Sequence, residues 1–269
     1  MRIVIEHVTR YRYSAMATYS VQSLRLTPAS FEGQQVLDWS LSCVPEGSIT
    51  PTQDGFGNTV HLMSVEGPHQ DVDIIARGTV EVTDQHGLVK GLADHVPLRV
   101  FLRRTDLTMP GPGIRALRRP LAAGETLTWL HDLMDRIRAA VDYETGVTDA
   151  LTKAEEALQA GHGVCQDHAH IFIAACREAG VPARYVTGYL LTDGVSDEEA
   201  HHAWAEAWVE SLGWVGFDVA NNVCPTDRYV RLAAALDASY AAPIRGSRRG
   251  GGEERLEVEV RVQEQSAQQ

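Results

Sequence analysis

The stretch "GHGVCQDHAHIFIAACREAG", residues 161–180, sets one cysteine and three histidines at the head of an apolar run. Cys165, Ala169, Phe172, Cys176 and Ala179 recur at the spacing of one face of an α-helix. Small and aromatic side chains of this kind are what a helix buries against a sheet. Gly163 lets the backbone turn tightly before the helix, and Gly180-Val181-Pro182 ends it. Cys165 is therefore expected in the first turn. There, free N–H groups and a partial positive charge stabilise a thiolate and can hold an oxyanion. Three roles fit the cysteine: a nucleophile, a metal ligand beside His162, His168 and His170, or a small core residue. Cys176, deeper on the same stripe, reads as structural, as do Cys43 and Cys224.

Downstream, "ARYVTGYLL", "HHAWAEAWVE" and "GWVGFDV" read as strands. In the second, His202, Trp204, Glu206 and Trp208 share one face, and His201, Ala203, Ala205, Ala207 and Val209 the other. A thiol nucleophile needs a base, and the base needs an orienting group. His202 and Asp218 can supply them if the chain reverses near Ser211–Gly213. Pairing Glu210 with Trp214, however, puts Asp218 opposite Glu206. Four strand residues span about 13 Å, so a bulge, a strong twist or a wider loop is needed to bring Asp218 to His202.

Upstream, "TLTWLHDLMDRIRAAVDYE" carries apolar residues at helical spacing. "VTDALTKAEEALQAG" predicts a shorter helix, capped by Thr148 or Thr152 and ended by Gly161. Residues 1–85 differ in character. "IVIEHVTRYRY" alternates, with Ile3, Ile5, His7, Thr9, Tyr11 and Tyr13 on one side, and four further short strand-like segments follow. His61 and His69 lie there as isolated surface or core residues. Between the two parts, "PGPG" at 110–113, Pro97 and Pro120 mark a connection. The expected organisation is a β-rich unit over 1–85, a connecting region over 86–124, and an α+β unit over 125–269 with helices preceding its sheet.

A formal net charge of −12 over 269 residues repels phosphate backbones, so no nucleic-acid partner is expected. No segment approaches the roughly 20 apolar residues that span a bilayer, so no membrane partner is expected either. The N-terminus reads as a strand rather than an export signal, and the four cysteines are scattered. Both fit a reducing cytoplasm.

Taken together, "GVCQDHAHIFIAACREAGVPARYVTGYL" and "HHAWAEAWVESLGWVGFDVAN" resemble the transglutaminase-like superfamily, a papain-like group of thiol acyltransferases and hydrolases. Residues 1–85 look like the β-rich N-terminal region of its bacterial members, and "RYVRLAAALDASYAAPIRG" with "GGGEERLEVEV" looks like the usual tail. The resemblance implies an N-terminal β-sandwich and a papain-like α+β core, the cysteine helix packed on an antiparallel sheet. Carried over by position, Cys165 matches the nucleophile, His202 the base and Asp218 the orienting carboxylate, while His201 matches no functional position. The family's Asp-Pro-Thr-Asn is here Asp218-Val219-Ala220-Asn221, which loses a rigid turn. The implied chemistry is cofactor-free acyl transfer on a peptide or protein amide through a thioester, with hydrolysis expected over transamidation.

Gln159 lies six residues before Cys165, where papain-type proteases place a side-chain oxyanion donor; a surface glutamine at a helix end is the plain alternative. Trp204 is the candidate groove wall. The acidic "TDGVSDEEA", 192–200, is a solvated connection or a gate to His202. Two rival readings are a metal site on His162, Cys165, His168 and His170, joined by His201, and a non-catalytic binding module. The first lacks a recognised zinc spacing, and the second has no need of a Cys–His–Asp set.

Overall fold

The computed structural model describes residues 1–93, 96–118, 121, 124–192 and 201–265. The chain opens with four strands, β1 (Arg2–Leu24), β2 (Gln34–Val44), β3 (Ser48–Gln53) and β4 (Thr59–Val82). The segments read as separate short strands fuse: β1 and β4 are long antiparallel partners whose register slips between Arg12 and Tyr19. The slip divides the sheet into two halves. One half pairs β1 and β4 with β2, the other with β3. Ile3, Ile5 and Ile74 from one half and Leu24, Met63 and Val65 from the other meet in one buried core.

The second unit begins with β5 (Leu88–Val89), a 3-10 turn over Leu98–Leu102, and α1 (Pro112–Leu117). There follow α2 (Thr126–Ala140), β6 (Asp142–Tyr143), α3 (Ala154–Ala160), β7 (His162–Gly163) and α4 (Cys165–Glu178). The sheet strands are β8 (Ala183–Leu190), β9 (His201–Val209), β10 (Gly213–Phe217) and β11 (Tyr229–Ala235), after which come α5 (Ala238–Ala241), β12 (Ile244–Gly250) and β13 (Glu254–Glu264). The second sheet runs β11-β8-β9-β10-β5, antiparallel throughout. The fold is α+β, with α4 packed on β9 and flanked by α1, α2 and α3.

Three expectations change. The region over 86–124 is more than a connection, because β5 pairs with β10 as an outer strand of the second sheet. The boundary at 125 also separates what the fold joins. β12 and β13 return to the first sheet, β12 along the second half of β1 and β13 along the first. A strand as long as β1 leaves an edge of unpaired amides that needs partners along its whole length, and the last two strands supply them. Finally, α3 starts at Ala154, later than a cap at Thr148 or Thr152 implies; Gly161 ends it in the left-handed region at φ 76°.

The two units are joined by side-chain amides that act as a strand surrogate. Gln34 accepts from the N–H of Arg231 and donates to its carbonyl. Asn58 does the same for Ala234. Together they satisfy main-chain groups on the outer edge of β11.

Candidate active site

Cys165 is the first residue of α4 and is half-buried. The expected single buried stripe is too narrow a description, because every residue from Asp167 to Arg177 is buried. A helix sandwiched between a sheet and other helices has no solvent face, so its polar residues must find partners. Asp167 accepts from the backbone N–H of Val164 at 2.9 Å and from the Thr148 hydroxyl at 2.7 Å, which pins the loop leading into the helix. Gly163 is required there, since a Cβ would lie 2.8 Å from the Asp167 side chain. Arg177 donates to the carbonyls of Phe101, Ala183 and Leu236 and to the Thr108 hydroxyl. Burial pulls its guanidinium down to about 10, against the opposing charge of Asp237.

The register of β9 and β10 resolves the difficulty with Asp218. Val209 pairs with Gly213 across a turn at residues 210–212, and Phe217 pairs with Ala205. Asp218 thus follows on opposite Trp204, not Glu206. The offset to His202 falls from four residues to two, a diagonal that polar side chains bridge on one sheet face. His202 Nε2 donates to Asp218 Oδ2 at 2.7 Å. No bulge in this hairpin is needed.

Two residues that sequence reasoning passed over complete the carboxylate's environment. Asn221 Nδ2 and the Tyr229 hydroxyl each donate to Asp218 Oδ2 at 2.7 Å. The missing Pro-Thr turn is replaced by a two-way bridge, Asp218 N–H to Val223 O and Val223 N–H to Asp218 O. Asn221 is the last residue of the quoted family motif, so a signal for it was present. Tyr229, in a different strand, had none.

The electrostatics follow from this packing. Burial alone would depress His202, but hydrogen bonds and charge from Asp218 and Cys165 raise its imidazole to about 10. Burial would raise Asp218, yet the hydrogen bond and charge of His202, with the Asn221 and Tyr229 donors, hold it below the usual carboxylate range. Adjacent His201 points to the other side, 3.0 Å from the Thr187 hydroxyl. Burial and the neighbouring His202 lower it to about 4. Two histidines in succession therefore carry opposite protonation states at neutral pH.

Trp204 is 3% exposed and stacks on His202 with ring centroids 6.5 Å apart. It backs the imidazole, and it is not among the residues lining the groove that His202 lines. Gly188 permits this, because a Cβ there would lie 2.6 Å from the indole ring. Gln159 is also corrected: its exposed side chain donates to Glu155 on the same helix at 3.0 Å. Glu155 in turn accepts from the N–H groups of Gly111, Gly113 and Ile114, so this pair serves the start of α1. The groove that His202 does line holds about 250 Å³, with Arg138, Tyr143, Leu190, Thr192 and Asn221 among its walls. Residues 193–200, the expected gate, lie outside the described residues.

Two histidines of the metal reading are engaged by the backbone. His168 has its two ring nitrogens 2.9 and 3.0 Å from the carbonyls of Val164 and Val141. His170 Nε2 accepts from the Ala238 N–H. Among the described residues, no three His, Cys, Asp or Glu side chains converge on a point where an ion could sit. The four cysteines are free thiols, and His69 is a satisfied core residue, bonded to Ser20 and Gly67. No described helix is long and apolar enough to cross a membrane.

Comparison with known proteins agrees with this architecture. Residues 3–81 match the bacterial transglutaminase-like N-terminal region, and residues 116–219 match the transglutaminase-like superfamily. An uncharacterized protein of Mycobacterium leprae is 29% identical over 276 residues, covering 97% of this chain and 98% of that protein. One of Mycobacterium bovis is 30% identical over 275 residues, covering 91% and 87%. The crystal structure of a candidate cysteine protease from Cytophaga hutchinsonii shares the fold, with a TM-score of 0.76 at 22% identity, covering 100% of this chain and 92% of that one. With both regions matched in order and relatives aligned over nearly its full length, the chain belongs to the transglutaminase-like superfamily.

Proposed function

We propose that this protein is a thiol-dependent acyl-transfer enzyme acting on carboxamide or peptide bonds, with Cys165 as nucleophile, His202 as base and Asp218 as its orienting carboxylate. The observation that carries the reading is the imidazole of His202, held by Asp218 on Nε2 and near enough to Cys165 for the sulfur to help raise it. With Nε2 taken, Nδ1 is the nitrogen left for the sulfur. In the resting pair the thiol proton already sits on His202, so the sulfur attacks the amide carbon as a thiolate. The free N–H groups of the first turn of α4 face the developing oxyanion. His202 then returns its proton to the departing amine, leaving a thioester. Water entering along the same imidazole completes a hydrolysis, which the likeness to a candidate cysteine protease favours.

The test is intact-protein mass spectrometry after offering glutamine-containing and peptide-amide donors, with and without a primary amine. An adduct on Cys165 that is lost on Cys165→Ala, and that resolves to the acid even with amine present, supports the reading. Resolution to the amine adduct makes the protein a transamidase. An active Cys165→Ala variant excludes the nucleophile.

A further inference from the structure

The groove beside His202 contains an arginine that, among the described residues, pairs with no carboxylate. Arg138, in the last turn of α2, is anchored by one hydrogen bond, Nη1 to the carbonyl of Val141 at 3.2 Å. His168 Nε2 lies 3.0 Å from the same carbonyl, so the anchor point is tied to the cysteine helix. Nε and Nη2 remain as donors, and the guanidinium fork matches a carboxylate geometrically.

The groove is also on a definite side of the chemistry. His202 is one of its walls and Cys165 is not. In acyl transfer the acyl carbon goes to the sulfur, whereas the departing amine sits against the imidazole that protonates it. A group filling this groove therefore belongs to the amine half of the scissile bond. Its volume of about 250 Å³ suits a single amino-acid residue. Leu190 and Ala220 give it apolar wall, and Tyr143, Thr192 and Asn221 give it polar wall.

We propose that Arg138 is a specificity residue that binds a carboxylate on the leaving amine, so that the preferred substrates are amides whose departing half is an amino acid with a free carboxylate. This rests on the acyl-transfer reading above and narrows its substrate class. The salt bridge forms across a groove open to solvent, so it weakens as ionic strength rises.

The experiment uses the full chain and a pair of peptide donors differing only in the leaving residue, one with a free α-carboxylate and one capped as the carboxamide. The quantity measured is the ratio of their kcat/KM values. A charge-assisted contact predicts a wild-type ratio of about tenfold or more in favour of the free acid. The ratio should shrink at high salt, collapse toward one in Arg138→Gln, and partly survive in Arg138→Lys. A wild-type ratio of one or below overturns the proposal, and so does a ratio that persists in Arg138→Gln. Should the glutamine variant fail to fold by circular dichroism, the wild-type ratio and its salt dependence decide. Equal cleavage of both donors counts against Arg138 alone. Absence of any thioester on wild-type Cys165 with either donor removes the acyl-transfer reading, and this proposal with it.

Discussion

Replacing Asp218 by Asn tests the electrostatic core of the site. The nearly isosteric amide keeps an oxygen for Asn221 and Tyr229 but loses the charge that holds His202 protonated. The imidazole lies at about 10 in the fold against an ordinary 6.5. A difference of one in pKa is worth about 1.4 kcal/mol, so protonation of this buried group favours folding by roughly 5 kcal/mol, an upper figure shared between Asp218 and Cys165. The depressed Asp218 reflects the same contact, so the energy is counted once. The sign is that of a raised base: the contribution is fully present below pH 6.5 and is lost as pH rises through about 10. Two outcomes are expected. The alkaline limb of the pH–rate profile, near 10 in the wild type, should move toward neutrality in D218N, with acylation slowed roughly 10³–10⁴-fold as in other triads that lose their carboxylate. Urea unfolding at pH 6 and pH 10.5 should show the wild type losing stability that D218N does not. If D218N keeps its alkaline limb near pH 10, Asp218 does not hold the proton on His202 and the electrostatic reasoning is wrong.

Two further substitutions probe the scaffold. Glu206 is fully buried between Arg184 and Arg231, which outweigh its burial and hold it at about 2; Glu206→Gln should cost roughly 3–5 kcal/mol in chemical denaturation at pH 7, because two buried cations lose their counter-charge. Its contribution is present above the ordinary carboxylate value and is lost as pH falls through about 2, so the variant should close on the wild type in acid. Gly188→Ala drives a methyl into the Trp204 ring and the Val230 carbonyl; a loss of about 1–3 kcal/mol is expected, together with slower alkylation of Cys165 as the imidazole loses its backing. An unchanged melting temperature with unchanged alkylation would show that Trp204 does not position His202.

Local pattern carried much of this protein. The stripe from Cys165 to Ala179 placed a cysteine at a helix start, and alternation in residues 201–209 separated a polar face from one of alanines that does pack on the helix core, with Ala203, Ala205 and Ala207 buried beside Phe172. Such periodicities record which face meets an apolar neighbour, so they are written residue by residue. Pairing is not. A turn that begins one residue earlier slides Asp218 from opposite Glu206 to opposite Trp204, and only the assembled β9–β10 register shows it. Partners distant in sequence were equally invisible: Tyr229 on Asp218, Gln34 and Asn58 along β11, and β13 along β1. Each depends on two segments whose spacing is set by the packing of everything between them. Gln159 shows the converse, a residue at a suggestive sequence distance that the geometry of α3 turns toward Glu155. Chemistry-bearing residue types and their local faces are properties of short segments; which of them touch is a property of the closed core, because contact depends on register, loop length and burial acting together.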